Sequence, residues 1–152
     1  MKWLVPRHFA SALRASPPPM IDGLEKPSSK LDGGRRRVLV VDDEHLIADT
    51  ICAILKENGF DATGAYSGSD AISAARMQRP DIVLSDVMMP RMSGVELGIQ
   101  LRSEFPEIKI FLFSGQAATR AMIHRAEAEG HYFELLPKPI HPDELINKMK
   151  GF

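Results

Sequence analysis

The 152 residues contain one cysteine, Cys52, so no internal disulfide forms. It stands among Ile51, Ala53, Ile54 and Leu55 in a helical pattern, which predicts a small core residue and fits a reducing compartment. Long apolar runs are also missing. Nothing approaches the ~18 to 20 residues that cross a bilayer, which argues against an integral membrane protein. The formal net charge is only -1, so there is no overall pull toward nucleic acid or membrane. His8, His45, His124, His131 and His141 show no ligand spacing among themselves and read as surface or local hydrogen-bonding groups.

What charge there is divides unevenly. Residues 1 to 37 carry eight Lys/Arg against three Asp/Glu, whereas residues 38 to 152 carry eleven against seventeen. The basic start also holds five of the eleven prolines, among them Pro17-Pro18-Pro19, followed by a polar stretch from Lys26 to Gly34. Such composition buries too little apolar surface to offset ordering, so residues 1–35 are expected to be a disordered basic, proline-rich extension to a domain at 36–152. The apolar run Trp3-Leu4-Val5 stops at Pro6, too short for a secretory signal.

From Arg37 onward the pattern is regular. Val38-Leu39-Val40-Val41 is a β-branched run ending in Asp42-Asp43, which predicts a buried parallel strand. Leu46, Ile47, Ile51, Ile54 and Leu55 then recur at helical spacing up to the stop at Asn58-Gly59. The alternation continues with strands near 62–66, 81–85, 108–113 and 132–136, and helices near 69–77, 94–104, 119–129 and 143–150. Strict alternation implies an α/β fold, a parallel sheet with helices on both faces, and ligands at the carboxyl ends of the strands. Asp42, Asp43, Asp86, Ser114 and Lys138 all fall at those ends. Three carboxylates held together repel unless a cation is shared, and Mg2+ takes one or two carboxylates plus phosphate oxygens. A carboxylate is also a competent nucleophile toward phosphorus, with an ammonium and a hydroxyl available to stabilise the transferred oxygens.

Val-Leu-Val-Val-Asp-Asp-Glu at 38–44, Asp-Ile-Val-Leu-Ser-Asp-Val-Met-Met-Pro at 81–90, Ser114-Gly115 and Lys138-Pro139 together resemble response-regulator receiver domains of two-component phosphorelays, in the single-domain, chemotaxis-regulator-like form. The resemblance implies a flavodoxin-like, doubly wound five-stranded parallel sheet in the order 2-1-3-4-5 with five helices. It implies Asp86 as phosphoacceptor, Mg2+ held by Asp43, Asp86 and the Met88 backbone carbonyl with Asp42 acting through water, Ser114 as switch hydroxyl, Lys138 as the accompanying lysine, and a cis Lys138-Pro139 bond. The expected protein is a stand-alone cytoplasmic regulator, not a turnover enzyme. It would be served by a histidine kinase or phosphotransfer protein, would signal to a downstream protein by contact, and would involve neither nucleic acid nor membrane.

Taken singly, each motif is ordinary: acidic pairs end strands as turn residues, Ser-Gly is a common turn, and a lone lysine is usually on the surface. Their serial occurrence at strand ends favours function. A haloacid-dehalogenase-type phosphatase would place its nucleophile on the first strand, and a flavodoxin-like cofactor binder needs a glycine- and hydroxyl-rich loop where this chain has Asp42-Asp43-Glu44. The remaining alternative is a receiver fold serving as a phosphorylation-independent interaction module, or as a simple phosphate relay or sink. The chain departs from the family's pattern at Leu135, where many receivers carry Tyr or Phe.

Overall fold

The computed structural model describes residues 34–115 and 117–151. Apart from Gly34 and Arg35, the expected N-terminal extension therefore lies outside the described residues. Among the described residues five strands, β1 (Arg37–Val41), β2 (Asp61–Ala65), β3 (Ile82–Asp86), β4 (Lys109–Ser114) and β5 (Glu134–Pro137), alternate with five helices, α1 (His45–Glu57), α2 (Gly68–Met77), α3 (Gly94–Glu104), α4 (Ala117–Ala128) and α5 (Pro142–Lys150). All strand pairs are parallel, in the order β2-β1-β3-β4-β5.

Side-chain alternation along the strands divides the interior into two cores. Val38, Val40, Ile82, Leu84, Phe111, Phe113 and Leu136 face α1 and α5, meeting Ala48, Cys52, Leu55, Leu145, Ile146 and Met149. Leu39, Val41, Val83, Ile110 and Leu112 face the other way, against α2, α3 and α4. Both faces of the central strands are thus covered, which explains why they read as unbroken apolar runs rather than as alternating ones.

The helix starts are specified locally. Ser93 and Glu96 form a reciprocal capping box on α3, the Ser67 hydroxyl accepts the Asp70 N–H at 3.1 Å on α2, and Pro142 opens α5 behind His141. The apolar positions of α1 divide, and one strand boundary is corrected. Leu46 is 78% exposed, and the buried stripe is Ala48, Cys52 and Leu55, with Ile47, Ile51 and Ile54 half-buried beside it. Strand β5 begins at Glu134 rather than Tyr132. The carbonyl of Tyr132 accepts a hydrogen bond from Arg102, and the Phe133 ring is buried in the α3 side of the core, so neither residue joins the ladder.

Candidate functional site

The register places the polar strand ends together. Val41 aligns with both Ala65 and Ser85, Asp86 with Phe113, and Ser114 with Pro137. The chains leaving β1, β3, β4 and β5 therefore emerge side by side at one edge. Asp42, Asp43 and Asp86 each bring a carboxylate oxygen within 4.8 Å of the others'. Lys138, just past β5, donates from Nζ to Asp86 Oδ1 at 2.9 Å. Its own N–H donates to the Ser114 carbonyl at 3.0 Å, which ties β5's exit to the end of β4. Lys138-Pro139 is cis, as expected. Ser114 is half-buried at the end of β4, and Met88 lies two residues beyond Asp86 with its side chain 46% exposed.

The environments of these carboxylates differ. Asp42 is 2% exposed; its Oδ1 accepts the Glu44 N–H at 2.9 Å, while Oδ2 has no protein partner. Burial pushes its pKa up, the Glu44 hydrogen bond opposes this, and the Asp86 and Asp43 charges add to the rise against the pull of Lys138. An orphaned buried oxygen, three mutually repelling carboxylates and one ammonium form an all-oxygen donor set short of positive charge. That set fits a hard divalent cation such as Mg2+ and fits a soft, thiolate-seeking metal poorly.

Close backbone packing supports the site in ways the motifs do not announce. A β-carbon on Gly94 would stand 2.1 Å from the Asp86 carbonyl oxygen, and the Gly94 N–H donates to the Val87 carbonyl at 2.9 Å. A β-carbon on Gly115 would lie 3.1 Å from Lys138 Cβ. Arg91, in the loop between Asp86 and α3, adopts a positive φ of 67°. From Asp42 and Lys138 an apolar groove of about 620 Å3 runs between α1 and α5, past Ile47, Ile51, Ile140 and Leu145.

Two of the histidines take up specific local partners. His141 Nδ1 accepts the Asp143 N–H at 3.2 Å and caps α5. His45 stacks on Tyr66 with ring centroids 3.7 Å apart. The Tyr66 contact was not legible in the sequence, because it joins residues from different elements with no shared period.

This fold and edge geometry define a phosphorelay receiver, and the comparisons agree. The family model described as "Response regulator receiver domain" matches residues 38–150, and the chain belongs to that family. Among curated relatives, the probable transcriptional regulatory protein TcrX of Mycobacterium tuberculosis is 38% identical over 122 residues, covering 80% of this chain and 51% of that protein. The DNA-binding response regulator MtrA of Mycolicibacterium smegmatis is 32% identical, covering 80% and 52%. The chain thus spans about half the length of the curated relatives it matches. Among solved structures, the Vibrio cholerae chemotaxis protein CheY4 superposes with a TM-score of 0.67 at 26% identity, covering 78% of this chain and 98% of that one.

Proposed function

We propose that this receiver domain takes a phosphoryl group onto Asp86 from a phosphohistidine of a partner histidine kinase or phosphotransfer protein, in a Mg2+-dependent step, and passes the signal on by protein contact. The observation that carries this reading is the Lys138 ammonium 2.9 Å from the Asp86 carboxylate, beside the carboxylates of Asp42 and Asp43. Asp43, Asp86 and the Met88 main-chain carbonyl would hold the cation directly, and Asp42 through water. When bound, Mg2+ supplies the positive charge that lets a carboxylate and phosphoryl oxygens share one site.

The chain's own residues account for the rest. A carboxylate oxygen of Asp86 forms the new O–P bond as the donor's N–P bond breaks, and that electron pair leaves with the imidazole. Lys138 holds Asp86 in place before transfer, then shares its ammonium with the transferred oxygens. Ser114, reached through the β4–β5 connection, donates its hydroxyl to them. The acyl phosphate on Asp86 is the output state, so the domain is a phosphoacceptor and not a turnover enzyme on an external substrate. The acidic balance of residues 38–152, seventeen against eleven, supports a protein partner over nucleic acid for this domain.

The test is phosphorylation by a small phosphodonor such as acetyl phosphate. The wild-type chain gains one base-labile phosphoryl group only with a divalent cation, and Asp86→Asn gains none. Label that persists in Asp86→Asn, or that forms without metal, overturns the assignment.

A further inference from the structure

The acidic loop between β1 and α1 has a mechanical problem. It must keep Asp43 beside Asp42 and Asp86 against their mutual repulsion, yet the helix that follows starts without a side-chain cap. Glu44, at the N-cap of α1, makes no side-chain capping bond, and the first turn of α1 has no acidic residue to complement the helix dipole. The Glu44 N–H is engaged by Asp42, not by a cap of its own.

Residues 65 and 66, at the end of β2, supply what is missing. The Asp42 N–H donates to the Ala65 carbonyl at 3.1 Å, fixing the loop where it leaves β1. Tyr66 then crosses over the first turn of α1: its ring stacks on His45 at 3.7 Å and an interplanar angle of 18°, and its hydroxyl donates to Asp49 Oδ1 at 2.6 Å. His45 and Asp49 are four residues apart and so lie on one face of the helix, which lets a single side chain engage both. The loop 42–44 is therefore bracketed, with a backbone bond at its entrance and an aromatic stack at its exit, both from adjacent residues of one neighbouring segment. Asp43 and Glu44 are the residues held between these two fixed points.

We infer that Tyr66 is a positioning residue for the cation site: its ring, stacked on His45, holds the start of α1 so that the Asp43 carboxylate stays in register with Asp86. This inference rests on the reading of Asp42, Asp43 and Asp86 as the metal-binding set. The stack carries the restraint, and the hydroxyl bond to Asp49 is an additional contact that the stack does not depend on. An aromatic pair contributes enough that its loss weakens a site it organises by about three- to tenfold.

The experiment is calorimetric titration of Mg2+ into the full chain, for wild type, Tyr66→Ala, Tyr66→Phe, His45→Ala and the Tyr66→Ala/His45→Ala double variant, with thermal melts to establish folding. Tyr66→Ala is expected to raise the Mg2+ Kd about three- to tenfold, while its phosphorylation rate at saturating Mg2+ stays within about twofold of wild type. Tyr66→Phe, which keeps the ring, binds Mg2+ as wild type does, and the double variant is no weaker than either single one. The inference is overturned if Tyr66→Ala binds Mg2+ like wild type, if Tyr66→Phe is as weak as Tyr66→Ala, or if the two losses simply add. Should wild type bind Mg2+ but take up no phosphoryl group, the proposed function fails while the titration still decides the role of Tyr66.

Discussion

Gly94, the first residue of α3, packs directly on the main chain of Asp86: a β-carbon there would stand 2.1 Å from the Asp86 carbonyl oxygen. The obstacle is backbone and not a flexible side-chain tip, so it cannot swing aside. Gly94→Ala is expected to cost about 2–3 kcal/mol of stability by overpacking, read from urea denaturation. A loss under about 0.5 kcal/mol, within the ordinary scatter of harmless substitutions, contradicts the close approach.

The carboxylate cluster predicts a metal-linked stability. Without a cation, Asp42, Asp43 and Asp86 repel across 4.8 Å or less and Asp42 Oδ2 is unpartnered. Mg2+ at about ten times its Kd is expected to add roughly 1.4 kcal/mol to folding, a rise in Tm of about 5 °C for a domain of this size. Asp43→Ala should abolish this response. A melting temperature that still climbs with Mg2+ in Asp43→Ala places the cation elsewhere.

Leu135 bears on how phosphorylation is read out. It is 37% exposed on β5, while the nearby aromatics are committed or remote: Phe133 packs against Gly98 under the Arg102 guanidinium, 4.6 Å from the ring centroid, and Tyr132 is 64% exposed. No ring stands at position 135 to turn inward, so the expected route for a signal from Ser114 is repacking of Leu135, which pairs with Leu112 of β4. With a phosphoryl mimic bound, hydrogen exchange is expected to change over residues 117–150, and Ser114→Ala should reduce that change. Effects confined to the loops at Asp42, Asp86 and Lys138 favour a plain phosphate relay.

Cys52 provides a pH-dependent check on the α1 core. Burial is the main cause of its raised thiol pKa, with Asp49 adding to the rise and Lys56 opposing it. The folded state therefore favours the protonated thiol. The corresponding stability is fully present below the ordinary value of 9.0 and is lost as pH climbs through the higher folded value. Stability should fall above pH 9 less steeply in Cys52→Ala than in wild type, and native Cys52 should react with iodoacetamide far more slowly than the unfolded chain. Equal alkylation rates in the two states would show the thiol to be accessible.

Much of this protein was determined by its sequence alone. Apolar runs that alternate between strand and helix period admit few topologies, so the parallel sheet and the clustering of Asp42, Asp86, Ser114 and Lys138 at one edge followed from pattern and chain order. The cis bond at Lys138-Pro139 came from family resemblance. Helical spacing identifies the apolar positions of α1 without saying which of them turns inward: Leu46 is exposed, and the small residues Ala48 and Cys52 take the core. The strand propensity of Tyr132 and Phe133 favours an earlier start for β5, and tertiary contacts with α3 override it. Only the tertiary structure decided that Gly94 must lack a side chain, that Asp42 Oδ2 is buried without a partner, and that Tyr66 reaches over α1. Each depends on distances between segments far apart in the chain, which local pattern does not encode.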